Sequence, residues 1–422
     1  MPADLVATAA AAEPDAPGPH QAQDQIRRLA WLHFANDLTL DFITPLLTAL
    51  VNVGWIGLME GAADGIGQVL KLVTGRASDR QGVRAPWVRS GYVINAIARP
   101  LIGIGMVLGW PLWVVASRIG DRVGKGVRGS ATDALVADWA DRDDRVRAFA
   151  RMRTMDHLGA TLGGLAAAAA AYVIALRHLW IAVCALVVVT LWVAHLARGL
   201  TDRRRVPVAP VTGTGTAAPG ATPPVGWWPR SKALRAPLLA IGVATMATKL
   251  SPLLVLAQVA GLPAHAQQAP WPLWQVCLGW AALGLVQAGA AALAGLMTIR
   301  LGAAGMARLG WLAGAVIFVG LAQCHGWGLV LAGAAFGILV GFTEGAEKTW
   351  IADRAATSER SLSFGALALV TAITGLLGNA LCGWLLVTWG PKAFLVMALI
   401  AILGVLTSLG AGRSVPVTPA AS

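Results

Sequence analysis

Apolar stretches of membrane-spanning length recur along this chain of 422 residues. A helix needs about 20 predominantly apolar residues to cross a bilayer, and it satisfies its own backbone hydrogen bonds there. The stretches lie near 29–50, 55–75, 88–108, 111–132, 148–174, 179–197, 237–260, 273–299, 309–325, 328–350, 362–388 and 391–410. We therefore predict an all-α membrane protein with 12 transmembrane helices.

The low content of charged residues supports a lipid environment. Charged residues make up 13% of the chain, against about 25% in soluble domains. The net charge of +12 does not indicate nucleic-acid binding, because the cations recur in short clusters between apolar stretches rather than on one polar domain. The four cysteines lie in apolar stretches without metal-ligand spacing. We expect the lipid bilayer as a partner, and no nucleic acid, metal or other cofactor.

The spans fall into two sets of six, separated by a stretch rich in Arg, Pro, Gly and Thr. Such a composition is typical of a flexible linker. We predict a disordered N-terminal tail at 1–26, a six-helix bundle at 27–197, a cytoplasmic linker at 198–236, a second six-helix bundle at 237–410 and a C-terminal tail at 411–422.

Lysine and arginine are distributed unequally over the connections. Alternate connections are basic, as in 76–89 and 142–147, whereas the opposite connections offer little beyond Arg177 and Lys392. The positive-inside rule places the basic connections in the cytoplasm. We therefore expect a multi-pass protein of the bacterial inner (plasma) membrane with both termini cytoplasmic.

An internal repeat relates the two sets of spans. Three residues of the loop after span two recur 220 positions later, as the pairs Gly75 and Gly295, Arg80 and Arg300, and Gly82 and Gly302. The dipeptide Ala137-Asp138 recurs 215 positions later as Ala352-Asp353. Two matched halves of six spans are typical of transporters that hold substrate between the halves.

Short motifs carry a family resemblance. The segment from Gly75 to Arg84 reads GRASDRQGVR and resembles the G-x-x-x-D-R-x-G-R-R signature of the major facilitator superfamily, with Val83 in place of a basic residue. Residues 121–128 read DRVGKGVR and residues 344–348 read EGAEK, and both look like one prokaryotic branch of that superfamily. The resemblance implies the major facilitator fold. It also implies a charge network at the cytoplasmic end that helps latch the halves in the outward-facing state.

We assign the predicted gate to residues near that end. The members are Gly75, Asp79, Arg80, Gly82, Arg84, Asp133 and Asp138. Asp133 and Asp138 lie just after span four, and we expect them to form the ion pairs of the gate together with Asp79 and Arg80.

Charges inside the spans are costly and mark functional positions. At about 100° per residue, Arg118, Arg122 and Lys125 share one stripe of span four. We predict that this stripe binds substrate together with Asp37 and Asp41 of span one. The alternative is that these charges only pair among themselves and hold the helices together.

Carboxyl groups in the same region are candidates for proton coupling. The predicted proton sites are Asp41, Glu60, Asp64 and Asp156. The second half has a smaller polar set, in which Glu344 and Lys348 have the i, i+4 spacing of an ion pair. Its members are Lys249, Glu344, Glu347 and Lys348.

These features predict a secondary transporter that moves a small molecule by alternating access. We favour an organic anion as the substrate, proton coupling, export and a monomer. A drug-like amphiphile is the alternative cargo. A membrane-embedded enzyme acting on a lipid-linked substrate, with Asp156 and His157 as acid and base, and a channel are the alternative classes. No phosphate-binding loop of the G-x-x-x-x-G-K-S/T type occurs in the sequence.

Overall fold

The computed structural model describes residues 19–49, 51–140, 145–174, 178–202, 232–262, 270–355 and 360–410. Most of the predicted linker, at 203–231, and the tails at 1–18 and 411–422 lie outside these residues. Within the described residues the chain is α-helical, with short 3₁₀ segments and no strand. An all-α fold is therefore confirmed.

The first half contains six long helices. They are α1 (Pro19–Ile43), α2 (Val53–Gln81), α3 (Ala85–Leu108), α4 (Pro111–Trp139), α5 (Arg145–Val173) and α6 (Leu179–Arg198). Prolines in the first turns of α3 and α4 fit there because the amide hydrogens of a first turn have no helical partner. Residues 19–26, which we expected to be part of a disordered tail, are helical.

The second half contains six further helices. They are α7 (Arg235–Thr248), α8 (Pro252–Val259), α9 (Leu273–Gln323), α10 (Gly326–Arg354), α11 (Arg360–Trp389) and α12 (Ala393–Leu409). Three of the predicted spans have a different form in the structure: the span near 237–260 is broken, and the spans near 273–299 and 309–325 are joined.

The break separates α7 from α8 at residues 249–251. Pro252 cannot donate a backbone hydrogen bond, and the Ser251 side chain accepts one from the amide of Leu253 at 3.3 Å. Asn379 of α11 donates to the Lys249 carbonyl at 3.0 Å and accepts from the Ser251 amide at 2.6 Å. The backbone groups exposed by the break are therefore bound, and α7 and α8 form one interrupted crossing.

The chain reverses inside α9 at Gly302, whose φ of 70° and ψ of 163° are not helical. Glycine adopts this conformation without a Cβ clash. Gly337 of α10 packs against Leu283 before the reversal, and Leu339 packs against Gly314 after it. The two arms of α9 therefore lie side by side along α10. Counting the two arms of α9 separately and α7–α8 as one interrupted helix, the described residues form twelve long helical segments.

The sequence repeat has structural counterparts. Gly82 ends α2 with a φ of 70°, the same value as at Gly302. A Cβ atom at Gly163 of α5 would lie 2.3 Å from the Leu38 carbonyl of α1, and one at Gly378 of α11 would lie 1.9 Å from the Met246 carbonyl of α7. In both halves, a glycine thus lets the fifth span touch the backbone of the first.

We call the end of the bundle at which α1 begins and α6 finishes the terminal end, and the opposite end the distal end. Gln25 of α1 donates to the Gly199 carbonyl at 3.1 Å at the terminal end. Near the distal end the halves meet closely: a Cβ at Gly57 of α2 would lie 2.3 Å from the Asn379 carbonyl of α11. Tyr172 of α5 also packs edge-on against Trp274 of α9, with ring centroids 5.8 Å apart.

The halves differ in polarity. Within the described residues, five stretches are long and apolar enough to cross a membrane by composition alone, and four of them lie in the second half. The helices α1–α5 are interrupted by charged residues, so the first half holds most of the polar groups that need partners inside the protein.

We expect Gly378→Ala to destabilise the protein by about 1–3 kcal/mol, because the new methyl group would overlap the Met246 carbonyl. The measurement is the thermal unfolding midpoint in detergent. Gly345→Ala is the matched control, since a Cβ there has no neighbour within 4 Å. Equal midpoints for the two variants would contradict the close contact between α7 and α11.

Candidate functional site

A cavity of about 490 Å³ lies between the two halves. The first half contributes α1, α2, α4 and α5, and the second half contributes α7 to α10. Ten lining residues are charged: Asp37, Asp64, Lys71, Arg122, Lys125, Arg128, Asp133, Asp156, Lys249 and Glu344. The lining extends towards the terminal end, where it includes Val136 and Met152.

The distal side of the bundle is packed with apolar side chains. Ile43, Leu46, Leu47, Ile56 and Leu254 are each at most 1% exposed and belong to one cluster that draws on both halves. Together with the contacts of α2 with α11, this cluster closes the distal end, whereas the cavity approaches the terminal end.

An ion-pair network joins α2 to α4 beside the cavity. The Arg118 guanidinium contacts the Glu60 carboxylate through Nε to Oε1 at 2.8 Å and Nη2 to Oε2 at 3.3 Å. Arg118 is 1% exposed and Glu60 3%. Arg122 reaches the same carboxylate at 3.5 Å and the Asp64 carboxylate at 3.2 Å. Glu60 is thus shared by two arginines.

The network continues to α3 and α1. Arg99 contacts Asp121 at 2.8 Å, and Asn95 donates to the same carboxylate at 2.7 Å. Arg99 also donates to the Asn36 carbonyl at 2.8 Å and to the Thr39 hydroxyl. The substrate and proton sites predicted from sequence left out Arg99, Asn95 and Asn36. An arginine and two amides inside apolar spans were the signals available for finding them.

Arg118 does not line the cavity, which differs from its predicted role as a substrate contact. Its guanidinium faces Glu60 and also lies 3.8 Å from Asp121. Arg118, Arg122 and Lys125 all lie in α4, but α2 covers the distal part of the stripe, where Arg118 contacts Glu60. Of the predicted substrate-binding residues, Arg122, Lys125 and Asp37 line the cavity.

Lys125 differs from the other cations of the lining. It is exposed to the cavity and makes no hydrogen bond or ion pair with the described residues. By contrast, Arg122 pairs with Asp64, and Arg128 stacks on the Tyr92 ring at 4.5 Å.

Asp41 connects the two halves. Its carboxylate accepts a hydrogen bond at 2.9 Å from the indole nitrogen of Trp280 in α9. This donor is neutral, whereas Glu60 and Asp64 contact arginines. Asp37, one turn before Asp41, accepts from Asn36 at 2.7 Å.

Asp156 pairs with a histidine that the sequence did not indicate. His33 Nδ1 of α1 lies 2.7 Å from Asp156 Oδ1 of α5, and both residues line the cavity. The neighbouring His157 also lines the cavity. Among the four predicted proton sites, Asp64 and Asp156 therefore face the cavity, while Glu60 and Asp41 lie behind its lining.

The four predicted polar residues of the second half form two ion pairs. Lys249, at the break after α7, lies 3.9 Å from Glu347, which also accepts from the Trp311 indole at 3.0 Å. Glu344 and Lys348 are 3.2 Å apart, as their spacing predicts. Lys249 and Glu344 line the cavity, whereas Glu347 is 3% exposed and lies behind it.

The described contacts of the predicted gate lie within the first half. Arg84 contacts Asp138 at 2.8 Å, and Lys71 lies 3.9 Å from Asp133. Gly75 allows α2 to approach Ser130 of α4, where a Cβ would be 2.9 Å away. The side chains of Asp79 and Arg80 lie outside the described residues.

The amino-acid sequence matches the family model of the Major Facilitator Superfamily over residues 29–286, more than half of the chain. The chain belongs to the Major Facilitator Superfamily. Solved structures of the superfamily fold support this assignment, and one of them is the crystal structure of the nucleoside transporter NupG. It aligns with a TM-score of 0.68 at 13% identity, over 93% of this chain and 100% of the other.

Two kinds of relatives match over a shorter length. An uncharacterised protein of Mycobacterium tuberculosis is 37% identical over 129 residues, which covers 29% of this chain and 30% of the relative. An uncharacterised MFS-type transporter of Methanocaldococcus jannaschii is 30% identical over 140 residues, or 32% of this chain and 34% of the relative. The matches thus span about a third of the length of each relative.

We expect Arg118→Met to destabilise this superfamily member by about 3–5 kcal/mol, because it leaves Glu60 and Asp121 short of a partner in a buried site. Thermal unfolding in detergent is the measurement. The double variant Glu60→Met with Arg118→Met removes both charges, so it should be less destabilised than the single variant. If Arg118→Met unfolds like the wild type, the network is not structural.

Proposed function

We propose that the protein is a secondary active transporter that moves a small organic anion by alternating access, coupled to protons. Membership of the Major Facilitator Superfamily and its transporter neighbours support a membrane transporter rather than an enzyme. The anion, the coupling proton and the direction are our proposals. The observation that carries the proposal is an inter-half cavity whose lining includes Lys125, a lysine that makes no direct ion pair with the described residues.

Alternating access is supported by the asymmetry of the two ends. The cavity approaches the terminal end, and apolar side chains from both halves pack together at the distal end. A closed distal end distinguishes this arrangement from a continuous pore. We infer that the structure represents the state open at the terminal end.

An anionic substrate is supported by the charges of the cavity. Most lining cations contact an acid or a ring, whereas Lys125 makes no direct ion pair with the described residues and attracts an acid, Asp41, only at longer range. A lysine at membrane depth is costly without a counter-charge. A carboxylate or phosphate group of the substrate would supply that charge, and Arg122 and Lys249 lie in the same lining. The density of charged groups disfavours the alternative of a drug-like amphiphile.

Asp41 is our proposed coupling carboxyl. Its hydrogen-bond partner is the neutral Trp280 indole, and the cations Lys125 and Arg122 act on it only at longer range, so protonation breaks no direct ion pair among the described residues. Because the hydrogen bond joins α1 to α9, protonation of Asp41 removes the negative acceptor and weakens a contact between the halves. Proton binding would thereby change the stability of this state relative to the alternative one.

We propose that the protein lies in the bacterial inner membrane with its terminal end on the cytoplasmic side. We also propose that it is a monomer. The expectation of export rests on Gly159-x-x-x-Gly163-Gly164 in span five, which resembles the glycine motif of proton-driven antiporters. In the structure Gly159 and Gly163 pack against the backbone of α1. This packing does not indicate the direction of transport. Transport assays distinguish export from import.

We expect Lys125→Gln to weaken anion binding roughly tenfold to a hundredfold, the range for loss of a charge-assisted hydrogen bond. A thermal-shift screen of small carboxylates, organic phosphates, and neutral and cationic analogues first identifies a stabilising compound. The same compound is then titrated against the variant.

Lys392→Gln is the matched control, because this exposed lysine lies between α11 and α12 and does not line the cavity. It should bind the compound like the wild type. Stabilisation by cationic or neutral compounds alone, or an unchanged affinity of Lys125→Gln, would show that Lys125 does not select an anion.

We expect Asp41→Asn to abolish accumulation driven by an imposed pH gradient while exchange of the solute across the membrane persists. The amide cannot release a proton, although it still accepts from Trp280. Proteoliposomes with a pH-sensitive dye inside report both quantities. Gradient-driven accumulation at the wild-type rate would rule out Asp41 as the coupling group.

The enzyme alternative rested on Asp156 and His157. The described ion pair of Asp156 is with His33, which ties α1 to α5. Detection of a chemically altered product in the proteoliposome assay would favour an enzyme over a transporter.

A further inference from the structure

A surface groove of about 390 Å³ lies where the beginning of α1 meets the end of α6. Its lining consists of Asp24, Arg27, Arg28, Trp31, Trp192 and Leu196. The groove is separate from the cavity between the halves, because the two share no lining residue. It combines basic groups at the terminal end with aromatic rings on the outer face of the bundle.

The position of Arg28 is fixed by the backbone of α6. Its Nη1 donates to the Leu196 carbonyl at 3.3 Å, which lies in the last turn of α6 and also accepts from the Gly199 amide at 3.2 Å. Gly199 leaves room for the guanidinium, since a Cβ there would lie 2.3 Å from Nη1. Gln25 binds both the Gly199 carbonyl and the Thr201 amide. The junction that holds Arg28 is therefore preformed.

Arg27 is available at the rim of the groove. It pairs with Asp24 at 2.9 Å, and both side chains are 64% exposed. An exposed pair of this kind contributes only about 0–1 kcal/mol. An incoming anion can therefore replace Asp24 as the partner of Arg27 at small cost.

The aromatic part of the groove faces outward. Trp31 and Trp192 are each 46% exposed, and tryptophan favours the region between lipid headgroups and acyl chains. Trp192 lies six residues before Arg198, the last residue of α6, so it is about 9 Å further into the membrane. The groove thus changes from cationic to apolar with depth, as a phospholipid does from headgroup to chain.

We propose that this groove binds an anionic phospholipid. The phosphate would contact Arg27 and Arg28, and an acyl chain would lie against Trp31, Trp192 and Leu196. Arg198, exposed in the last turn of α6, adds positive charge at the same end. In the proposed orientation the groove opens to the cytoplasmic leaflet, whose anionic lipids attract basic groups next to a span.

Native mass spectrometry of the purified full chain tests this site. Phosphatidylglycerol and phosphatidylcholine with identical acyl chains are added at equal concentration. We expect the wild type to retain phosphatidylglycerol preferentially. Arg27→Gln and Arg28→Gln should each weaken its retention about fivefold, the effect of one basic residue near a charged membrane surface.

Arg300→Gln is the matched control, because Arg300 is exposed close to the reversal in α9. It should retain phosphatidylglycerol like the wild type. Thermal midpoints in phosphatidylcholine check folding, and Arg27→Gln remains informative if Arg28→Gln unfolds, since Arg27 contacts only solvent-exposed Asp24 in the described contacts.

Three outcomes would overturn the proposal. Equal retention of the two lipids by the wild type would exclude selection by charge. Unchanged retention by Arg27→Gln and Arg28→Gln would place the selection elsewhere. Full displacement of phosphatidylglycerol by glycerol phosphate at equal concentration would show a site for free phosphate rather than for lipid.

Discussion

The carboxylate of Glu60 organises the first half of the protein. It is 3% exposed at membrane depth and contacts both Arg118 and Arg122. A buried charge is tolerated only when a partner compensates for the loss of water. The two arginines on α4 therefore fix the position of α2, and Asp121 on α4 in turn binds Arg99 of α3. The placement of the cavity lining follows from this chain of contacts.

The charged residues of the first half fall into two groups, according to whether they take part in the buried ion-pair network. Groups that satisfy one another, such as Arg118 and Glu60, lie behind the lining and hold helices together. Groups that make no direct ion pair with the described residues, such as Lys125 and Asp41, are the ones for which we propose binding and coupling. A binding or coupling group must be able to change its partner during the cycle, which a fully satisfied pair resists. The distinction rests on the contacts of each residue rather than on its depth.

The sequence predicted the all-α fold, since a bilayer requires long apolar helices and allows few other backbone structures. It also indicated the reversal in α9, because Gly302 repeats Gly82. The partners of the buried charges were not predictable in the same way. Helical periodicity places Arg118, Arg122 and Lys125 on one stripe, but it does not say which neighbouring helix covers which part of the stripe.

Contacts between residues far apart in the sequence were likewise not predictable from helical periodicity. Asp156 was assigned to its neighbour His157, whereas its described ion pair is with His33, 123 positions earlier in the chain. The hydrogen bond of Asp41 to Trp280 spans 239 positions. Such pairs depend on how helices pack, and a single sequence carries no record of packing.

The interruption between α7 and α8 has a mechanical consequence. A continuous helix transmits a tilt along its whole length, whereas a broken one lets its two arms swing about the gap. Here the gap is bridged by one amide, Asn379, which belongs to α11. Lys249 sits at this pivot and lines the cavity. Sliding of α11 along α2 would therefore displace Asn379 and, through its hydrogen bonds, the backbone at Lys249. A movement at the contact between the halves would thus change the position of a cation that lines the cavity.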